Sequence, residues 1–299
     1  EGTLIAPESE AAAVVSGVAL AREEALVSLA GIPDRPGVMN DIFTRMARHK
    51  IAVDMIVQNI SAGGVASVSF TVPQDELAEA LTAAEEAIKV LGSGKVEIGT
   101  NLSKVSIVGS GMKNHPGVAA TLFRAFAQAG INILAITTGD IKISTLVNRD
   151  KAEAALKAAH NAFQLERAPS YAPGQKPEAA ATGTGSSRAD LERDVVARLA
   201  NMEDILVSEV QLDLDQSRVT LRNIPDEPGI AAQLFTANGE AGVNVDMIVQ
   251  NVSQSGHAHI TFTVPRSELE NSTVACKKVL AKWPEAELSS EKEIAKLSV

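Results

Sequence analysis

One cysteine, Cys276, is present in 299 residues, which excludes internal disulfides and any cysteine-built zinc site. It stands at helical spacing from Val274 and Val279 and is expected in a core. Aromatic residues make up only 3% of the chain, so a sheet surface that stacks single-stranded bases has little to work with. The run Val65 to Val72 offers just Phe70. Basic charge is also scarce: 27 Lys and Arg stand against 37 Asp and Glu, a net −10 that leaves no footprint for a phosphate backbone. No apolar run approaches the ~20 residues of a membrane helix, although 45% of residues are hydrophobic. No charged-then-apolar leader is visible either. The expectation is a cytoplasmic protein with no nucleic-acid and no membrane partner.

What the chain does have is a repeat with a fixed offset of 192 residues. Asp34 maps onto Asp226, and Val53-Asp54-Met55-Ile56-Val57-Gln58-Asn59 returns unchanged as Val245-Asp246-Met247-Ile248-Val249-Gln250-Asn251. The register holds from Val15 (Val207) to Ile107 (Val299), so the second copy is expected to stop inside the first strand of a further unit. A shorter repeat is nested within it. Moving 80 positions takes Pro36-Gly37-Val38 to Pro116-Gly117-Val118, and 112 more takes Pro116-Gly117 to Pro228-Gly229 and Asn132 to Asn244. The folding unit is therefore about 70 to 80 residues, enough for a small core.

Within the first unit, Val14 to Ala19 and Ala25 to Ala30 read as short strands, and Gly31 to Gly37 as a turn with two prolines and two glycines. Ile42, Phe43, Met46 and His49 then recur at helical spacing. Val53, Met55 and Val57 alternate as a strand, and Val65 to Val72 forms another. Asp75 and Glu76 stand at the positive end of a second helix whose stripe is Leu77, Leu81, Ile88 and Leu91. A strand near Lys95 to Ile98 follows. The order is that of an α+β, ferredoxin-like unit (βαββαβ): an antiparallel sheet with helices on one face. Its uncovered face and edges call for a neighbouring unit or a second subunit. Arg167 to Asp190, rich in Pro, Gly, Ser and Thr, reads as a flexible linker.

The segments Ile32-Pro33-Asp34-Arg35-Pro36-Gly37 with Val53 to Asn59, Lys104-Val105-Ser106-Ile107-Val108-Gly109 with Gly111-Met112 and His115-Pro116-Gly117-Val118, and Ile141-Lys142-Ile143-Ser144 together resemble the paired ACT domains at the carboxy-terminal end of aspartate kinase. The doubled pair is similar to the members with four such domains, and Gly2-Thr3-Leu4-Ile5 resembles the tail of the kinase domain. On that resemblance the chain divides into a kinase tail (1–13), ACT domain 1 (14–100), ACT domain 2 (101–166), a linker (167–203), ACT domain 3 (204–290) and the start of a fourth (291–299). The family implies that lysine or threonine, end products of the pathway, binds between ACT domains and inhibits phosphorylation of aspartate. It also implies a homodimer joined through ACT domains and a kinase domain on the same or another chain. ATP and magnesium would belong to that kinase domain, and no cofactor is expected in this chain.

The residues suit such a site. A Pro-Gly turn feeding a helix presents free backbone N–H groups to a carboxylate, here from Gly37, Val38 and Met39. Asp34 can receive an α-ammonium, while Gln58 and Asn59 offer amide groups that orient the ligand. Aspartate before proline is equally an ordinary turn-former. The repeat bears on that choice, because Asp226, Gly229, Ile230, Gln250 and Asn251 restore the set in the third unit. The second unit has Asn114, Gly117, Thr138 and Gly139 instead. By resemblance, Asn132 and Ile133 on the second unit's edge close the site of the first, although Asn132 also suits a turn. His115 reads as a turn residue. His257 and His259 face one way on a strand without further ligands and are expected to be exposed. No dinucleotide fingerprint, phosphate loop or Ser-His-acid set is present, so no catalytic residue is assigned. A freestanding amino-acid-responsive regulator acting through a partner protein is the alternative to a kinase's regulatory region.

Overall fold

The computed structural model describes residues 14–61, 64–109, 111–112, 115, 117–166, 210–252 and 256–298. The expected kinase tail and linker lie outside them, as do Asn114 and Pro116. The first unit runs β1 (Gly17–Pro33), α1 (Val38–Arg48), β2 (Asp54–Ser61), β3 (Val65–Pro73), α2 (Leu77–Leu91) and β4 (Lys95–Val108). The second adds α3 (Val118–Gln128), β5 (Ala135–Gly139), β6 (Lys142–Asn148) and α4 (Ala152–Ala162). The third is β7 (Gln211–Pro225), α5 (Ile230–Glu240), β8 (Ile248–Val252), β9 (His257–Pro265), α6 (Leu269–Leu280) and β10 (Glu287–Ser298). All strands join one antiparallel sheet in the order β10-β7-β9-β8-β5-β6-β4-β1-β3-β2. The α+β, ferredoxin-like plan is thus repeated along a single sheet.

The helices follow from their apolar spacing. On α1, Val38, Ile42 and Met46 are buried one turn apart, and Gly37 at φ 92° starts the helix in a conformation that a side chain would disfavour. On α2, Ala80, Ala83, Ala84 and Ala87 are fully buried, so their small side chains let the helix lie close to α1 and the sheet. Leu29 of β1 with Val68, Phe70 and Val72 of β3 supply the sheet side of that core. In the third unit the helix pair meets through a polar group instead. Asn238 donates to the Leu234 carbonyl (2.8 Å), accepts from Ser272 (2.7 Å) and lies 3.4 Å from the Cys276 sulfur, where the first unit has Met46, Ala80 and Ala84. Cys276 is fully buried, as expected, and burial pushes its thiol above the ordinary range.

Two strands depart from the expectation. Gly17 to Ala19, of the expected run Val14 to Ala19, and Ala25 to Ala30 are not separate runs but parts of one strand, β1, because Leu20 to Glu24 contains no glycine or proline to turn the chain; Val14 to Ser16 precede it. Irregularities after Ala21 and Glu24 absorb the bend. Gly17–Ala21 pairs with Lys104–Val108, whereas Glu24–Ala30 pairs with Lys95–Leu102 and with β3. Two strands therefore serve both the first and second units, and the expected limit between 100 and 101 falls inside β4. The expected limit between 290 and 291 likewise falls inside β10, which pairs along its length with β7. Glu76 also does something other than favour its helix dipole: it accepts the Ala52 N–H (3.1 Å), just as Glu268 accepts that of Asn244 (2.6 Å).

The bend brings the first unit against the second. Met55 and Leu102 form a small cluster with Ala135 and Leu146, flanked by Leu26 and Leu134. Beside it Lys104 bonds Glu24 (2.7 Å) and Asp54 (2.8 Å), with Lys142 3.6 Å from the same Asp54 carboxylate. Partial burial disfavours the Asp54 charge, but the bond from Lys104, the Met55 N–H and both lysine charges outweigh it and hold the carboxyl below its usual value. Burial likewise opposes the Lys104 charge, yet its bonds to Asp54 and Glu24 raise it above the ordinary value.

Candidate functional site: a cleft between the second and third units

The second and third units meet edge to edge. β5 pairs with β8, setting Ala135 opposite Asn251, Ile136 opposite Gln250 and Thr137 opposite Val249. Helices α3 and α5 pack behind this seam: the Phe123 and Phe235 rings lie 5.4 Å apart, and Phe235 meets Phe262 at the same distance. One apolar core runs through both units.

The turn before α5 opens into a cleft at this seam. Asp226 donates its N–H to Gly256 (3.1 Å), as Asp34 does to Gly64 (2.9 Å), so both odd units build the turn alike. Gly229 at φ 97° starts α5, and no side chain caps that helix among the described residues. The first-turn N–H groups of Ala231 and Ala232 therefore lack helical acceptors in a part of the chain that lines the cleft, while that of Ile230 donates to the Glu227 carbonyl (3.5 Å). Across from them stand Ile131, Asn132 and Ile133 of the second unit. Asn132 donates to the Asp226 carboxylate (2.9 Å), and the Gln250 amide donates to the Ile133 carbonyl (2.8 Å). The oxygen of the Gln250 amide is buried and has no hydrogen-bond partner. About 20 Å³ remains open between these groups, close to the space of one water.

Asn132, Ile133, Asp226, Gly229, Ile230 and Gln250 are thus brought together; Asn251 is placed on β8 at the same seam. The pairing differs from the one expected. Asn132 and Ile133 face the third unit, not the first, because β8 occupies the outer edge of β5. Asp34, Gly37, Val38, Met39, Gln58 and Asn59 keep the equivalent places in the first unit, but no strand flanks β2 among the described residues. Asp34 and Gln58 are exposed there.

The cleft has a mate related by the 112-residue shift. It lies at the start of α3 and is lined by His115, Gly117, Val118, Thr138, Val245 and Asp246, with about 50 Å³ open. His115 closes its own turn by a 2.7 Å bond to the Gly111 carbonyl, in keeping with a structural role. Thr138 stands where the odd units carry glutamine and was expected only to mark the absence of the polar set. Its hydroxyl accepts the Ile248 N–H (2.7 Å) and donates to the Asp246 carbonyl (3.4 Å), tying the seam together. The place of Thr138 at the 80-residue shift from Gln58 was the available signal. His257 and His259 are half-buried rather than exposed. Burial, with the nearby charges of Arg222 and His257, holds the His259 ring below its ordinary value. Among the described residues no group of three or more His, Cys, Asp or Glu is placed to hold a metal ion, and no helix is long and apolar enough to cross a membrane.

Fold and cleft together define a class: tandem ferredoxin-like units paired edge to edge, with a turn-and-helix start facing the neighbour's edge. The chain belongs to the ACT domain family, whose model matches residues 27–88, 105–163 and 222–280. It is similar to an aspartokinase of Helicobacter pylori, 40% identical over 173 residues, and to one of Thermus thermophilus, 41% identical over 156 residues. These matches cover 56% and 52% of this chain but 42% and 38% of the relatives, so the chain spans less than half of their length. Among solved structures, the aspartate kinase of Synechocystis superposes with a TM-score of 0.78 at 29% identity, covering 97% of this chain and 46% of that one.

Proposed function

We propose that this chain is the amino-acid-sensing regulatory region of an aspartate kinase, and that its complete effector site is the cleft between the second and third units. The observation that carries the reading is the Gln250 amide oxygen, buried without a donor beside the Asp226 carboxylate and the uncapped start of α5. A free α-amino acid supplies the complement of this set. Its carboxylate would accept from the N–H groups of Ala231 and Ala232. Its ammonium would donate to Asp226 and to Gln250, taking over the bond that Asn132 now makes.

The cleft must widen for this, since about 20 Å³ does not admit an amino acid. Ligand binding therefore favours an arrangement in which the two units are held by the ligand rather than by Asn132–Asp226 and Gln250–Ile133. Lysine and threonine are the effectors proposed on the family resemblance, with inhibition as the response. Catalysis, with ATP and magnesium, would reside in a kinase domain on the same or another chain. A homodimer joined through ACT domains in the cytoplasm completes the proposal.

Titration calorimetry with L-lysine and L-threonine tests it. At least one should bind, and Asp226→Ala should weaken binding by about tenfold or more through loss of a charge-assisted bond. Asp34→Ala should leave this binding unchanged. Binding of neither amino acid, or binding indifferent to Asp226→Ala, would sink the reading.

A further inference from the structure

Residues Val53–Asn59 and Val245–Asn251 are identical, yet the two copies take different backbone paths. Met55 sits at φ 44°, a region that a side chain disfavours, whereas Met247 is not among the positive-φ residues. The Met55 N–H donates to the carboxylate of its own neighbour, Asp54 (2.8 Å). The Met247 N–H donates instead to the Thr263 hydroxyl (3.2 Å). Thr71, the counterpart of Thr263, is fully buried, and its hydroxyl oxygen has no hydrogen-bond partner. The side chains part company as well: Met55 is 4% exposed within the cluster joining the first and second units, while Met247 is 38% exposed. An identical sequence cannot make this choice, so the neighbours make it.

Those neighbours differ on both sides of the strand. Outside β8 lies β5, whose Thr138 hydroxyl is bonded to the Asp246 carbonyl and the Ile248 N–H, one residue either side of Met247. That clamp fixes the peptide groups on either side of Met247. Outside β2 no strand is paired among the described residues, and Ile56, the counterpart of Ile248, is 48% exposed. On the inner side, Lys104 and Lys142 draw Asp54 toward the second unit, and Leu102, Ala135 and Leu146 receive the Met55 side chain. In the third unit the equivalent carboxylate, Asp246, is bonded by Lys296.

We propose that the Asp54–Met55 step is a two-position switch linking the outer edge of β2 to the contact between the first and second units. When an antiparallel strand of the β5 type, with a hydroxyl at the place of Thr138, docks on β2, Met55 takes the backbone path of Met247. Its N–H passes from Asp54 to Thr71, and its side chain leaves the cluster with Leu102, Ala135 and Leu146. Covering the edge loosens the inner contact, and by linkage a tighter inner contact disfavours docking. Gln58 and Asn59 lie on the same strand, so the switch sets the path of the residues that carry them. The inference holds whichever ligand the cleft takes and does not rest on the proposed function.

The test uses the full chain labelled at its methionine methyls, with Met55→Leu and Met247→Leu assigning the two signals. The probe is a peptide with the sequence of residues 134–139. Adding it should move the Met55 signal from its buried position toward that of Met247. Thr71→Val denies the Met247-like form its acceptor and should reduce that conversion by about fivefold or more, while Thr71→Ser should preserve it. A Met55 signal that the peptide does not move, or that moves equally in Thr71→Val, overturns the proposal. Unfolding in urea gives a second reading on the same chain. Thr71→Val should leave the midpoint unchanged or raise it, and Thr263→Val should lower it; a fall in both would overturn the switch.

Discussion

The first and third units share a turn, a helix start and a seven-residue strand, but among the described residues only the third unit's copy of that strand lies against a neighbour's edge. In the third, Gln250 is buried and bonded to Ile133, and Asp226 is bonded to Asn132. In the first, Gln58 and Asp34 face solvent. The ring contacts differ in the same sense. Phe43 meets Phe70 within its own unit, 5.6 Å away, whereas Phe235 joins Phe262 to Phe123 of the second unit. A residue's chemistry is thus only half of a site, and the other half is the strand that the topology sets beside it.

The sharpest way to break this comparison is to remove the rings. Phe235→Ala should cost about 3–5 kcal/mol and release the seam between the second and third units, abolishing amino-acid binding with it. Phe43→Ala, in a half-buried position, should cost less and leave binding intact. Equilibrium unfolding in urea with parallel calorimetry checks both, and equal losses would show that the units do not differ as described. The amides come next. Gln250→Ala removes the bond to Ile133 and should cost about 1–2 kcal/mol, whereas Gln58→Ala should stay within about 0.5 kcal/mol of the parent. Comparable costs would mean that β2 is covered in solution.

The smallest effect concerns acid. The Asp54 carboxyl lies below its ordinary value, so its contribution to stability is present above the unfolded value of roughly 3.9 and is lost as pH falls through the lower folded value. The side chain is 45% exposed, which limits that contribution to less than about 1 kcal/mol. Asp54→Asn should flatten the acid limb of the stability profile by that amount. Lys104 has the opposite sign: its share is present below roughly 10.4 and is lost as pH rises through its raised folded value. An unchanged acid limb in Asp54→Asn would remove the ion cluster from the contact between the first and second units.

Much of the cleft was legible before the fold. The 192-residue offset singled out Asp226, Gln250 and Asn251, because the same set at Asp34, Gln58 and Asn59 vanished in the intervening unit, where the glycine alone persists as Gly117. Asn132 and Ile133 were legible as the opposing edge. Which odd unit they oppose was not, since β2 and β8 carry one sequence and nothing local distinguishes their neighbours. The path of Met55 was hidden for the same reason: alternation over Val53, Met55 and Val57 predicts one face, and tertiary contact overrides it. The continuity of β1 was missed because the stretch Ala21-Arg22-Glu23-Glu24 reads as polar surface, whereas it spans the bend between two units. Conversely, the turn chemistry carried over faithfully. Gly31 at φ 74° returns as Asn223 at φ 53°, the residue type that best tolerates a left-handed backbone after glycine.

The shared strands also set an order of events during synthesis. Gly17–Ala21 leaves the ribosome before its partners and finds them only at Lys104–Val108, after the whole first unit has emerged. Contacts so distant in sequence form slowly unless the intervening chain has already compacted. The first unit must therefore act as a folded insert that brings the two ends of the second together, and a lesion in its core, such as at Phe70, should delay maturation of the second unit even though that residue never touches it.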